Sequence, residues 1–101
     1  PRSDLPPGQA LSAGRRAAIL DGYRKLAEQV MGLRIDSKTT VRNFITQHDK
    51  IVGKVNTIIY GAKVVRTRYK SDGTVEVIME LYLGDMWKTI QSHRKRQSSG
   101  Y

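Results

Sequence analysis

Cysteine is absent from this chain of 101 residues, which excludes disulfides and thiolate metal sites. No apolar run approaches the roughly 20 residues needed to span a bilayer. The first ten residues, Pro1 to Ala10, lack the basic start and apolar centre of a signal peptide. Acidic residues are scarce, 9 against 18 basic ones, so the net charge is +9. The three prolines all fall within Pro1 to Ala10, and no internal repeat is present. There is no glycine-rich phosphate loop, no nucleophile elbow and no His-Glu metal pattern.

A chain of this length forms one domain with a single modest core, and 39% hydrophobic content suits a folded domain with loose ends. The basic balance raises nucleic acid, an anionic membrane surface or an acidic partner as candidates. The basic residues are spread along the whole chain, however, and only Lys88, Arg94, Lys95 and Arg96 lie beyond Leu83. That distribution is poor support for a dedicated nucleic-acid surface. His48-Asp49 reads as a solvated loop pair, because the other histidine, His93, sits in a basic tail. Glu76 and Glu80 share one strand face, where arginines expected opposite make them ion-pair partners and not a catalytic pair. The expectation is a non-enzymatic domain with no catalytic residue, cofactor or metal.

The positive signals are structural. Ser12 is a candidate helix N-cap, and prolines before Leu11 disfavour an earlier start. From there Ile19, Tyr23, Leu26, Val30 and Leu33 recur at steps of 4, 3, 4 and 3, with Leu20, Ala27 and Met31 widening the stripe. Asp21, Arg24, Lys25 and Glu28 occupy the opposite face. The pairs Asp21–Lys25 and Arg24–Glu28 each add about 0.2–0.5 kcal/mol at most. Gly32 is a natural stop, and Gly22, near the edge of the stripe, suggests that another backbone passes close there. Lys38 to Phe44, rich in Thr, Val and Phe, reads as a strand. Gln47 to Tyr60 has a helical face in Ile51, Val55, Ile58 with Val52 and Ile59, and predicts a second, shorter helix ending at Gly61. Five β-branched aliphatic residues and Gly53 keep an extended alternative open.

The third section is a hairpin. Val75, Val77, Met79, Leu81 and Leu83 alternate with Thr74, Glu76, Ile78, Glu80 and Tyr82. Before them, Val65, Thr67 and Tyr69 alternate with Val64, Arg66 and Arg68. A two-residue loop at Asp72-Gly73 would pair Arg68 with Val77 and mix the two faces. A three-residue loop, Ser71-Asp72-Gly73, pairs Tyr69 with Val75, Thr67 with Val77 and Val65 with Met79 on the inner face. It also sets Arg68 opposite Glu76 and Val64 opposite Glu80 on the outer face, and it needs Gly73 in the left-handed region. Asp85 to His93 reads as a short closing helix with Met86, Trp87 and Ile90 on neighbouring positions, Trp87 serving as a packing anchor.

Several of these pieces together resemble the FlgP-type and related LPP-type bacterial lipoproteins. They are Ala17-Ala18, Tyr23-Arg24-Lys25-Leu26-Ala27-Glu28, Thr39-Thr40-Val41, Gly61-Ala62 and Asp72-Gly73-Thr74-Val75-Glu76-Val77, and the resemblance spans Arg15 to Leu83. It implies a secreted protein, lipid-anchored to the outer membrane of a Gram-negative bacterium, on its periplasmic face. FlgP-type members assemble into a ring or disk around the flagellar motor. The lipid-accepting cysteine of such proteins is missing here, and the expectation is a mature domain without its leader and anchor segment.

The expected fold is α+β: a small two-layer sandwich in the order α-β-α-β-β with a short final helix. In it the long amphipathic helix, through Ile19, Tyr23, Leu26 and Val30, packs on the inner face of a three-stranded sheet, against Val75, Val77 and Met79. Residues 1–11 are expected as a flexible linker, 12–92 as the domain and 93–101 as a disordered basic tail. The expected function is a structural module that self-associates, with other flagellar ring proteins as further partners. The alternative is a basic binding domain for nucleic acid or an anionic envelope polymer. The candidate oligomer interface is the outer hairpin face: Val64, Arg66, Arg68, Ile78, Glu80 and Tyr82. The bland alternative for these six is packing under a helix or plain solvation. The hairpin loop gives a direct test. Gly73→Val should cost about 1–2 kcal/mol, because a side chain at positive φ is strained, and should lower Tm on thermal unfolding by several degrees. An unchanged Tm would contradict the three-residue loop.

Overall fold

The computed structural model describes residues 7–98. Helix α1 runs Pro7–Gly32. It starts before Ser12, because a proline in the first turn of a helix sacrifices no needed N–H. The expected linker is therefore helical from Pro7 onward, and residues 1–6 lie outside the described residues. Gly32 ends the helix as the sequence implied. The exposed pairs Lys25–Asp21 at 2.9 Å and Arg24–Glu28 at 3.3 Å are present, joined by Arg24–Asp21 at 2.5 Å.

The strand expected over Lys38 to Phe44 does not form. Asp36 Oδ1 accepts the backbone N–H groups of Lys38 and Thr39, both at 2.8 Å, and folds the chain into a tight loop. These hydrogen bonds, the Lys38 N–H foremost, hold the Asp36 carboxyl below its ordinary pKa. Thr40 then caps a helix, its Oγ1 accepting from the Asn43 N–H at 3.2 Å. Helix α2 (Val41–Gln47) follows, with Val41, Phe44 and Ile45 buried. Capping has overridden β propensity here, and only an isolated bridge, Arg34 to Thr40, remains of the third strand. The sheet accordingly has two strands instead of three, while the α+β class stands. The open question over Gln47 to Tyr60 resolves as helix: a single 3₁₀ turn (Asp49–Ile51) leads into α3 (Val52–Tyr60), which stops at Gly61.

Strands β1 (Lys63–Tyr69) and β2 (Val75–Glu80) form an antiparallel hairpin. Its loop is the three-residue one: Gly73 N–H donates to Lys70 O at 3.1 Å, Lys70 N–H to Thr74 O at 2.9 Å, and Gly73 has φ 88°. Tyr69, Thr67 and Arg68 pair with Val75, Val77 and Glu76 as expected. Beyond Arg66 the register slips. Val64 pairs with Met79 and Lys63 with Glu80, leaving Val65 as the extra residue of a β-bulge. Helix α4 (Gly84–Ser98) closes the chain. It continues past His93 into the segment expected to be disordered, and residues 99–101 lie outside the described residues.

Helix α1 links two regions. Along its first half it lies against the inner face of β2 through small residues. A Cβ at Gly14 would sit 3.1 Å from Val75 Cγ2, and one at Gly22 would collide with the Met79 sulfur. Ala18, between them, borders the same crevice as Val75 and Val77. The close approach at Gly22 is therefore made by strand side chains, Met79 and Val77, and not by the backbone that the sequence suggested. Farther along, Val30 joins a helical core with Val41, Phe44, Ile45, Ile51, Val55, Ile59, Met86 and Ile90. Trp87 is half-buried against that core, as a packing anchor should be. The deepest burial is thus among helices, not between helix and sheet. The molecule is drawn out, 63 × 22 × 18 Å with a radius of gyration of 17.9 Å, where a compact chain of this size has about 13 Å.

Candidate interaction surface

The bulge decides which side chains the hairpin presents. In a paired position both side chains share a face, so Val64, opposite Met79, turns inward and is half-buried. It therefore leaves the outer face on which the alternation had placed it. Val65, displaced by the bulge, is 53% exposed in its stead. Arg66 lies opposite Ile78, which is 43% exposed, and Arg68 lies opposite Glu76. Glu80 remains exposed at the end of β2. Tyr82 has left the strand: it is 72% exposed, and its ring lies against Gly84, where any side chain would collide with it. Of the six candidates, Arg66, Arg68, Ile78 and Glu80 share the outer face, Val64 is inside and Tyr82 is on the connection to α4.

The charges on this face are arranged by strand. β1 and the residue after it supply Lys63, Arg66, Arg68 and Lys70, whereas β2 supplies Glu76 and Glu80. Glu76 is the meeting point, 3.4 Å from Arg68 and 3.4 Å from Lys70. Exposed pairs of this kind add little to stability. Among these charges the apolar side chains of Val65 and Ile78 remain about half exposed.

Elsewhere the surface offers little chemistry. A crevice of about 660 Å³ forms an open groove between α3 and α4, bordered by Lys54, Thr57, Ile58, Lys88 and Thr89. The hydroxyls of Thr57 and Thr89 donate back to Gly53 O and Asp85 O of their own helices, each at 2.9 Å. Among the described residues no cluster of three or more His, Asp or Glu could hold a metal ion, and no helix is long and apolar enough to cross a membrane.

The histidines are not where their sequence context placed them. His48 is half-buried, its ring 4.5 Å from Phe44 and 4.9 Å from His93. His93 is only 7% exposed, packs edge-on to Phe44, and its Nε2 has no hydrogen-bond partner. The signal was present: Met86, Ile90 and His93 step by 4 and 3 along one face of α4. The neighbouring run of Arg and Lys disguised it as a tail.

A small α+β domain that displays a hairpin and buries one histidine, His93, against a helical core is the class of molecule these features define. Its family is the LPP20 lipoproteins: the model of that family matches residues 6–82, and the chain belongs to it. The match ends before α4, and membership makes this a lipoprotein domain of the cell envelope. Neither the curated proteins nor the solved structures furnish a significant match.

Burial, with the electrostatic influence of His48, Arg96, Lys50 and Lys54, holds the His93 pKa below its ordinary 6.5. The unfolded chain therefore binds more protons than the folded one as pH falls through that range. The stability contributed by neutral His93 is complete above about pH 6.5 and is lost on acidification toward the lower folded value. The Tm should fall between pH 7.5 and pH 5, and His93→Phe should flatten that dependence. An equal slope in both proteins would contradict it.

Proposed function

We propose that this domain is a non-enzymatic structural module of an outer-membrane-associated lipoprotein that assembles with copies of itself. The assembly is a ring or disk around the flagellar motor, on the periplasmic side, and motility depends on it. The observation that carries the reading is the outer hairpin face, where Val65 of the basic strand and Ile78 of the acidic strand stand exposed. Apolar side chains among charges sorted by strand suit a protein contact. The flagellar placement rests on the resemblance to the FlgP-type branch, and membership of the lipoprotein family is compatible with it. Other motor-ring proteins are the natural neighbours of such an assembly. The even spread of basic residues and the open, weakly polar groove between α3 and α4 give no comparable support to a nucleic-acid or polymer-binding role.

Light scattering and electron microscopy test the reading. Ile78 is exposed, so Ile78→Asp should leave the fold and Tm intact. It should weaken each contact by about 2 kcal/mol, roughly 30-fold, and reduce the assembled particles to monomers. Particles of unchanged size in the variant would contradict the reading. So would a wild-type protein that stays monomeric at high concentration, or one that binds DNA with a steep salt dependence.

A further inference from the structure

Among the described residues the sheet has two strands, so each strand keeps one open edge. Among the described residues no backbone hydrogen bond outside the hairpin itself reaches β1 or β2. Helix α1 lies on the inner face of β2 and leaves the row of outward N–H and C=O groups along each edge unpaired. Such an edge is a template for another strand.

We propose that copies join head to tail through these edges, β1 of one copy pairing with β2 of the next, so that the hairpins form one continuous antiparallel sheet. The inference rests on the self-assembly reading above and specifies how the copies meet.

Three observations select this arrangement. The first is charge. β1 carries Lys63, Arg66 and Arg68 and no acid, while β2 carries Glu76 and Glu80 and no base. Pairing β1 with β1 sets arginine against arginine, and pairing β2 with β2 sets glutamate against glutamate. Like charges directly opposite destabilise a sheet. Only β1 with β2 places arginine beside glutamate at the new seam, and it also brings Val65 of one copy toward Ile78 of the next. The same charges that protect each edge from its own kind admit the other one.

The second is orientation. With β1 antiparallel to the β2 of its neighbour, every hairpin points the same way and every α1 falls on the same side of the sheet. The contact uses different surfaces on the two partners, so it repeats and either closes into a ring or runs on as a filament.

The third is width. Two strands advance the sheet by about 9.6 Å per copy, close to the roughly 10 Å diameter of one helix. A single α1 per hairpin therefore tiles the inner face without gaps. The helical end, in a molecule 22 × 18 Å across its shorter axes, is wider than that repeat. Successive copies are held apart at this end and drawn together along the hairpins, so the row must curve. The bulge at Val65 adds local twist to β1 and limits the regular seam to Arg66–Tyr69 against Val75–Ile78.

The absence of cysteine makes the test clean. Copies carrying Arg66→Cys or Arg68→Cys on β1 are mixed with copies carrying Glu76→Cys or Glu80→Cys on β2. The mixtures are oxidised and the linked dimers mapped by mass spectrometry. The expected result is at least ten-fold more β1–β2 dimer in the mixtures than same-strand dimer in any single-variant sample. Homotypic β1–β1 or β2–β2 links, or no link at all from a wild type that forms particles, overturn the edge pairing and leave self-assembly standing. A wild type that remains monomeric by light scattering overturns both.

Discussion

The hairpin exists because α1 lies close behind it. Two strands joined by a short loop are marginal in water, and among the described residues this pair has no third strand to lean on. Its stability comes from setting Val75, Val77 and Met79 against a helix side reduced to Gly14, Ala18 and Gly22. Glycine inside a helix costs about 1 kcal/mol relative to alanine. At Gly22 that loss is the condition for seating the Met79 side chain. The second half of the same helix is anchored elsewhere: Val30 enters the helical core, and the Tyr23 ring packs 5.3 Å from that of Tyr60. One continuous helix thus transmits the rigidity of a helical core to a two-stranded arm.

The core that supplies this rigidity is built late in the chain. Met86 and Ile90 of α4 are fully buried beside Val41 and Val55, and His93 follows them inside. An exposed ion pair at 3.4 Å between Arg94 and Asp36 ties the same helix to the loop before α2. The burial of an imidazole with an unsatisfied nitrogen makes this closure sensitive to acid, while the perturbed group of the hairpin, the Asp72 carboxyl held below its ordinary pKa by Thr74, responds only to stronger acid. Acid should loosen the base of the molecule before its arm.

The long helix, both glycine stops at Gly32 and Gly61, and the hairpin loop at Gly73 were legible in the sequence, because each follows from local periodicity or from a turn that tolerates few residues. The segment from Lys38 to Phe44 misled because β propensity there is contradicted by two side-chain hydrogen-bonding devices, Asp36 and Thr40, whose effect depends on where the chain must turn next. The bulge was hidden for a different reason. Val64 and Val65 are chemically equal, so alternation cannot say which of them meets Met79, and a single residue of slip moved one of the proposed interface positions inside. Tyr82 left the outer face because the strand ends at Glu80 and the chain turns toward α4. The basic end of α4 concealed His93, since solvated charges on one side of a helix say nothing about its buried side. Four of the six candidate positions, Arg66, Arg68, Ile78 and Glu80, nevertheless lie together on the face the alternation assigned to them.

What remains is a molecule whose stable part is helical and whose displayed part is a hairpin with two open edges of opposite charge. Hydrogen exchange compared between dilute monomer and concentrated assembly tests that division most directly. The amides of residues 66–69 and 75–78 should gain protection on assembly, while those of α3 and α4, already paired inside their helices, should not change. Strand amides that exchange equally fast in both states, with protection gained instead on α3 and α4, would contradict the account.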